Sequence, residues 1–229
     1  LKMCGIFGSL NQTISKKFIN ENLAEVFQLQ DHRGPDSDGY YINERQKVLL
    51  GHNRLSIIDL TSSGSQPMVS SCKNFIIVYN GELYNTAYLK RKYLKNVELS
   101  GHSDTEILLE ISARFPLEKF LYEIDGMFAF GLYSLKDRKL RLIRDRSGQK
   151  PLYFCHDGNK LAFASEVQTL VKGFGLATML NVDALHSYLK YGFVVGSSSI
   201  WDTIKKVEAS SILTFDEFGN LLETKVYEK

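Results

Sequence analysis

The chain has 229 residues, of which 44% are hydrophobic and 24% are charged, and its formal net charge at pH 7 is +2. This composition is that of a globular protein and excludes a disordered chain, and the length suffices to bury a core without disulfides or a structural metal. The nearly neutral charge gives no indication of nucleic-acid binding. The longest uninterrupted apolar stretch, residues 75–79, is far shorter than the ~20 residues of a membrane helix.

The cysteines are sparse and odd in number. Cys4, Cys72 and Cys155 are the three thiols of the sequence, too few for the disulfide framework of a small secreted protein. The first apolar run ends at Leu10 and polar residues follow it, so no secretory signal is predicted. We therefore expect a protein of a reducing compartment, in the cytoplasm.

In the first half of the chain, the predicted elements alternate between helices and strands. Apolar residues at helical spacing predict a helix over residues 17–30, and strands are predicted at residues 47–52 and 74–79. The second of these strands is apolar at consecutive positions, which is typical of a strand covered on both faces. A helix is then predicted from Ser103, because Ser103 and Glu106 have the spacing of a capping box.

The second half of the chain is richer in predicted strands. After Pro116 a short helix is predicted over residues 117–124, and another helix is predicted over residues 182–190. Turn signals separate the strands of a predicted meander and of a late hairpin. The meander strands cover residues 127–135, 140–144, 151–155 and 161–164, and the hairpin strands cover residues 212–215 and 221–227. These elements predict an α+β layered fold and leave the order of strand pairing open.

Cys4 stands close to the start of the sequence. If Met3 is the translation start, its removal leaves Cys4 with a free α-amine beside its own thiol, so that nucleophile and base belong to one residue. An α-amine has an unperturbed pKa of about 7.7–8.0, which suits proton transfer near neutral pH. Taken alone, however, a cysteine in this position is more often a small apolar residue that begins a buried strand.

The pair Asn80-Gly81 follows the predicted strand at residues 74–79. An Asn-Gly pair after a strand usually forms a turn. It can also form an oxyanion hole, in which the side-chain amide of Asn80 and the N–H of Gly81 converge on one oxygen. Loss of one such donor typically costs about 3–4 kcal/mol of transition-state stabilisation.

Arg54 and Asp104 are candidates for binding the two charges of an amino acid. The Arg54 guanidinium can hold a carboxylate through two parallel hydrogen bonds, although an arginine more often forms a surface ion pair. Asp104 lies at a predicted helix start, where it either complements the helix dipole or accepts an ammonium group. Both interpretations stay open for each residue when it is considered alone.

The sequence gives no signal for a metal or nucleotide site. The five histidines are scattered, and neither H-x-x-x-H nor C-x-x-C spacing occurs, so no metal site is predicted. The G-x-S-x-G, P-loop and G-x-G-x-x-G motifs are also missing from the sequence.

Short motifs run in a fixed order through nearly the whole chain. They are Met3-Cys4-Gly5-Ile6-Phe7-Gly8, His32-Arg33-Gly34-Pro35-Asp36, Arg54-Leu55-Ser56-Ile57-Ile58-Asp59, Asn80-Gly81-Glu82-Leu83-Tyr84-Asn85, Ser103-Asp104-Thr105-Glu106, Asp125-Gly126-Met127-Phe128-Ala129-Phe130, Arg144-Asp145-Arg146, Lys150-Pro151-Leu152-Tyr153 and Ala164-Ser165-Glu166. Together they resemble the glutaminase domain of asparagine synthetases, a class II glutamine amidotransferase of the N-terminal-nucleophile superfamily.

This resemblance implies an α+β fold, a four-layer αββα sandwich with Cys4 at the N-terminal end of a strand. It implies that Cys4 attacks the side-chain amide of L-glutamine, that its α-amine transfers the proton to the leaving ammonia, and that water hydrolyses the resulting glutamyl thioester. For the other residues it implies that Asn80 and Gly81 stabilise the oxyanion, Arg54 binds the substrate carboxylate, Asp104 with Glu82 binds the substrate amine, and backbone groups near Leu55 and Ile57 line the pocket. Arg33 is expected near the active site without a chemical step.

The same resemblance implies that residues 1–229 form a single amidotransferase domain. Its ammonia would supply an ATP-dependent amidation in an attached synthetase domain, with aspartate as the expected acceptor. The synthetase domain, with its Ser-Gly-Gly-x-Asp loop, is absent from this sequence. No cofactor is expected in the amidotransferase domain, and ATP and Mg²⁺ are expected only in the synthetase domain. The expected partners are L-glutamine and that domain, with neither nucleic acid nor membrane; a homodimer is one candidate oligomeric state.

Two alternatives to a glutamine-hydrolysing domain remain. Leu1 and Lys2 precede Met3, and if they stay attached, Cys4 carries an amide instead of an amine. That form would suit a non-catalytic regulatory or interaction module with the same fold. The third interpretation, an acylase of the same superfamily acting on another amide, is disfavoured because Arg54 and Asp104 together fit a free amino acid.

Overall fold

The computed structural model describes residues 3–12, 22–56, 61–176 and 178–227. Its α-helices are α1 (Leu23–Gln30), α2 (Thr86–Tyr93), α3 (Asp104–Ser112) and α4 (Val182–Tyr191), and a π-helix covers Thr169–Gly173. Its strands are β1 (Gly5–Leu10), β2 (Ser37–Asn43), β3 (Val48–Arg54), β4 (Met68–Val69), β5 (Phe75–Leu83), β6 (Gly126–Ser134), β7 (Lys139–Arg144), β8 (Tyr153–His156), β9 (Leu161–Ala164), β10 (Lys205–Lys206), β11 (Ser211–Phe215) and β12 (Leu221–Val226). In this part of the chain, no helix combines the length and the hydropathy that crossing a membrane requires.

The strands form two antiparallel sheets. The first sheet has the order β10-β8-β9-β1-β3-β2, and the second has the order β12-β11-β7-β6-β5-β4. β1 lies inside the first sheet, with Gly5 opposite Asn53 of β3. β5 lies beside β6 in the second sheet, with Asn80 opposite Ala129 and Gly81 opposite Phe128. Cys4, directly before β1, and the Asn80-Gly81 pair therefore belong to different sheets.

Three apolar cores separate four layers. Ile6 of β1 and Val78 of β5 pack in the core between the two sheets. Phe7, the next residue of β1, points to the other face and packs with Val26 of α1 in a core outside the first sheet. Ile107 of α3 packs in the corresponding core outside the second sheet. Because the central strands are covered on both faces, their sequences are apolar at consecutive positions, and the predicted α+β fold with αββα layers is confirmed.

The predicted meander between residues 126 and 165 is wrong. β6 and β7 form a hairpin in the second sheet, β8 and β9 form another in the first sheet, and the chain crosses between the sheets at residues 145–152. The Asp145 carboxylate holds this crossing, because it accepts hydrogen bonds from the N–H groups of Ser147, Gln149 and Lys150. Turn residues indicate where a chain reverses, but they do not determine which sheet the next strand joins.

Several predicted boundaries also change. α1 begins at Leu23, and the first residues of the predicted helix lie outside the described residues. The helix predicted at residues 117–124 consists of two 3₁₀ turns instead. β5 continues past Tyr79 to Leu83, so the Asn80-Gly81 pair lies within a strand rather than in a turn. The predicted helix at residues 182–190 and the late hairpin are confirmed as α4 and as β11 with β12.

Ser103 caps α3, as the sequence predicts. Its Oγ accepts a hydrogen bond from the N–H of Glu106 at 3.2 Å. The Glu106 carboxylate does not complete the reciprocal half of a capping box, because it accepts hydrogen bonds from the N–H groups of Ser100 and Gly101 at 2.6 and 2.8 Å. The cap therefore fixes the start of the helix on which Asp104 is the first residue.

Replacing Ser103 with alanine is expected to lower the free energy of unfolding by about 1 kcal/mol, because one amide of the first turn loses its acceptor. Urea unfolding followed by circular dichroism measures this change. Ser112→Ala is the matched control, since Ser112 Oγ only donates to the Leu108 carbonyl within the same helix, and a smaller loss is expected. Equal stability of Ser103→Ala and the parent chain would contradict the cap.

Candidate active site

A cavity of about 270 Å³ lies where the start of β1 meets the last residues of β5 and the start of α3. Residues of both sheets line it. Every site residue that was predicted from the sequence and that lies within the described part of the chain contributes to its wall. These residues are Cys4, Arg54, Leu55, Asn80, Gly81, Glu82 and Asp104. Ile57, which was also predicted, lies outside the described residues.

Cys4 is held at the cavity by one hydrogen bond to its thiol and one to its carbonyl group. Its Sγ accepts a hydrogen bond from the N–H of Leu55 at 3.3 Å, and its carbonyl accepts one from Arg33 Nε at 3.0 Å. Arg33 in turn pairs with Glu166, with 2.5 Å between Nη1 and Oε1. Burial raises the pKa of the Cys4 thiol, and the Leu55 hydrogen bond partly opposes that rise. The thiol is therefore protonated at neutral pH and needs a base to act as a nucleophile.

Asn80 presents an unsatisfied donor to the cavity. Its side chain is 1% exposed, and its Nδ2 has no hydrogen-bond partner among the described residues. A buried N–H group without an acceptor costs about 1–3 kcal/mol. An oxygen atom bound in the cavity beside Nδ2 would remove this penalty.

The N–H of Gly81 points away from β6, toward the edge of β5 that β6 does not cover. Alternate amides of a strand point to the same side, and on this side the N–H of Tyr79 donates to Gln66 and that of Leu83 donates to Asp104. Gly81 lies between them. A Cβ at Gly81 would lie 2.5 Å from the Met127 carbonyl oxygen, so the close approach of β6 requires glycine here.

Arg54 and Asp104 place opposite charges on the cavity wall. The Asp104 carboxylate accepts hydrogen bonds from the Tyr79 hydroxyl and the Leu83 N–H, both at 3.0 Å. Burial raises the pKa of Asp104, and these hydrogen bonds limit the rise. Arg54 Nη1 donates to the Thr61 carbonyl at 2.9 Å. A cation and an anion on the wall of one small cavity are complementary to a zwitterionic amino acid.

Sequence reasoning missed several residues of the cavity wall. Gln66 connects the two sides of the site, since its Oε1 accepts from Tyr79 N–H at 2.6 Å and its Nε2 donates to Thr105 at 3.3 Å. Burial lowers the pKa of His52 to about 3, so this imidazole is neutral at physiological pH. Lys150 also lines the cavity. None of these lies at a spacing that indicates chemistry, and only the fold brings them together.

The described residues contain no group of three or more histidine, cysteine, aspartate or glutamate side chains placed to bind a metal. The three cysteines within this part of the chain are all free thiols. Cys4 lines the cavity, together with the Asn80 amide and the charged side chains of Arg54 and Asp104. This arrangement suits nucleophilic attack on an acyl group of an amino acid.

Comparisons with known proteins agree with this chemistry. The sequence profile of the glutamine amidotransferase domain matches residues 3–228. A putative glutamine-hydrolysing asparagine synthetase of Methanocaldococcus jannaschii is 35% identical, over 93% of this chain and 44% of its own length. Asparagine synthetase 1 of Bacillus subtilis is 34% identical, over 96% of this chain and 34% of its own length. The chain thus spans less than half the length of these curated relatives.

A solved structure supports the fold independently. The glutamine phosphoribosylpyrophosphate amidotransferase of B. subtilis, determined with ADP and GMP, aligns with a TM-score of 0.68 over 98% of this chain and 49% of its own chain. Its sequence identity of 17% means that this likeness concerns the fold alone. The family that the sequence motifs indicated is confirmed by the profile and by the asparagine synthetases, and this chain belongs to the class II glutamine amidotransferase domain family.

Proposed function

We propose that this chain releases ammonia from L-glutamine through a thioester on Cys4. The observation that carries the proposal is the unsatisfied Asn80 amide, which lines the same cavity as the Cys4 thiol. Glutamine has one carboxylate, one ammonium group and one amide carbonyl. Arg54, Asp104 and the unsatisfied Asn80 amide, which all line the cavity, are the groups proposed to match them.

In this proposal Arg54 binds the α-carboxylate of glutamine, and Asp104 with Glu82 binds the ammonium group. The free α-amine of Cys4 takes the thiol proton, and Sγ attacks the side-chain amide carbon. Asn80 Nδ2 and the Gly81 N–H stabilise the tetrahedral oxyanion, and Leu55 lines the pocket, to which the family resemblance also assigns Ile57. The α-ammonium then returns the proton to the leaving nitrogen, so that ammonia departs and a glutamyl thioester remains.

Water completes the cycle. It adds to the thioester carbonyl, the Cys4 α-amine accepts a proton from it, and the same two donors stabilise the second oxyanion. Sγ leaves and is reprotonated, so glutamate is released and the thiol is restored. One glutamine and one water thus give one glutamate and one ammonia.

We further propose that the released ammonia serves an attached synthetase domain. The support is that the relatives are named glutamine-hydrolysing asparagine synthetases and extend far beyond the length matched by this chain. Residues 1–229 would then be a single domain of such an enzyme. Aspartate is the proposed acceptor. ATP and Mg²⁺ are assigned to the synthetase domain, and no residue of the described chain is assigned to them.

The test uses the chain with Cys4 as its first residue, verified by intact mass. Release of glutamate and ammonia in equal amounts is the expected result. A glutamine-shaped diazoketone should label Cys4 at one equivalent, and glutamine should protect Cys4 from it. Absence of both hydrolysis and labelling would overturn the proposal and favour a non-catalytic module.

Asn80→Ala is expected to lower kcat for glutamine hydrolysis by roughly 10²–10³-fold, because one oxyanion donor is lost. KM should change little, since the donor acts on charge that develops only in the transition state. Steady-state kinetics measures both. Asn43→Ala is the control, because Asn43 lies on β2 and bonds to Gln46 outside the cavity. An unchanged kcat in a folded Asn80→Ala chain would remove Asn80 from the oxyanion hole.

A further inference from the structure

Hydrogen bonds to the backbone groups of Lys150 hold this residue at the cavity. It lies in the crossing between the sheets, where its N–H donates to the Asp145 carboxylate at 2.9 Å and its carbonyl accepts from Arg144 Nε at 2.7 Å. The Arg144 guanidinium also donates to the carbonyls of Gly148 and Val207. The residue is 5% exposed and lines the same cavity as Cys4. A hydrogen-bonded segment thus carries a long cationic side chain to the cavity that Cys4 also lines.

The ammonium group of Lys150 has a weak partner. Its Nζ lies 2.9 Å from the Sδ of Met3, and a thioether is a poor acceptor. Among the described ion pairs, Lys150 takes no part. Burial, and then the charge of Arg33, lower the pKa of Lys150. A buried cation without an ion pair is costly, which points to a role for its charge.

Met3 is the residue bonded to the nitrogen of Cys4. The Lys150 ammonium therefore contacts the group whose removal would free the Cys4 α-amine. With Met3 gone, the Lys150 side chain still lines the cavity onto which the Cys4 α-amine would open. We propose that Lys150 acts through Cys4 as an electrostatic positioning residue, whose charge disfavours protonation of the freed α-amine and favours the thiolate. This inference rests on the proposed glutaminase function.

The charge of Lys150 favours the reactive form of both groups, the neutral α-amine and the thiolate. A neighbouring positive charge disfavours a second positive charge on the amine and stabilises a negative charge on sulfur. Among the other charges, Arg54 and Asp104 act on Cys4, and Arg33, Asp145 and Glu82 act on Lys150. The two arginines act in the same direction as Lys150 and the carboxylates oppose them, including Glu166, which pairs with Arg33. Asp145 is already satisfied by four backbone amides. Removal of Lys150 subtracts one positive charge from this set and leaves the others in place.

The experiment compares pH profiles of kcat/KM for glutamine hydrolysis in chains that begin at Cys4. In Lys150→Met the acid limb is expected to move to higher pH by roughly half a unit to one unit, because the amine now loses its proton at higher pH. Lys150→Arg keeps the charge and should keep the parent profile. Lys206→Met is the control: Lys206 also has a pKa lowered by burial, but it bonds to the Val194 and Gly196 carbonyls away from the cavity.

A second readout does not depend on hydrolysis. The rate of Cys4 alkylation by iodoacetamide is followed against pH, with mass spectrometry separating Cys4 from Cys72 and Cys155. Its onset should also move to higher pH in Lys150→Met, and Lys150→Gln gives a second neutral variant if the first does not fold. Superimposable alkylation profiles of parent and neutral variants would overturn the inference. Absence of hydrolysis with a shifted alkylation profile would overturn the glutaminase proposal alone.

Discussion

Cys4→Ala is expected to abolish glutamine hydrolysis, with a fall in kcat of roughly 10⁵-fold or more, as when other covalent enzymes lose their nucleophile. The reason is that Cys4 supplies the thiol at the cavity, whereas Cys72 is exposed and Cys155 is on β8. Glutamate release measured by a coupled assay checks this. Calorimetry should still detect glutamine binding, because Arg54 and Asp104 are intact.

Cys72→Ser is the matched control for this variant, since it removes a thiol outside the cavity and should leave kcat unchanged. Undiminished hydrolysis by Cys4→Ala would exclude the thioester mechanism. Loss of binding together with loss of turnover would instead indicate that the substitution disturbs the pocket.

The second large effect concerns the residues before Cys4. A chain that keeps Leu1, Lys2 and Met3 is expected to hydrolyse glutamine roughly 10²–10⁴-fold more slowly than a chain that begins at Cys4, because a peptide nitrogen cannot act as the base. Met3 also lines the cavity, so its side chain competes with the substrate for space. Intact mass confirms the start of each chain, and kcat is measured for both.

The control for this comparison is a chain with a protease site directly before Cys4. Cleavage should restore the rate of the chain that begins at Cys4, which separates the effect of the free amine from differences in preparation. Ready turnover by a chain with Leu1 present would show that the α-amine is not required. In that event another group of the cavity would have to take the thiol proton.

Much of the fold could be predicted from local patterns. Ser103 has a chemical reason to cap a helix, and the consecutive apolar residues of β5 indicate a strand covered on both faces. The end of β5 could not be predicted in this way. Its apolar run stops at Tyr79 because the cavity begins there, while the pairing with β6 continues to Leu83. The assignment of hairpins to sheets was equally inaccessible, since it depends on contacts between distant segments.

The candidate site was predictable where a residue type has distinctive chemistry. Cys4, Arg54 and Asp104 could be proposed because thiol, guanidinium and carboxylate each suggest a partner. Gln66 and Lys150 could not be proposed from their residue types, because amides and lysines are common on loops. Their importance arises from the crossing at residues 145–152 and from the backbone of β5, which bring them to the cavity.

The division of the site between two sheets has a mechanical consequence. Cys4, the proposed nucleophile, precedes β1 of one sheet, and Asn80 and Gly81, the proposed oxyanion donors, belong to β5 of the other. The distance between them is therefore set by how the sheets stack, through side chains such as Ile6 and Val78. A displacement near 1 Å at a reacting centre can cost about 10²-fold in rate. The packing of the core between the sheets thus sets the geometry of the proposed site. We expect a loosened core to slow turnover before it unfolds the chain.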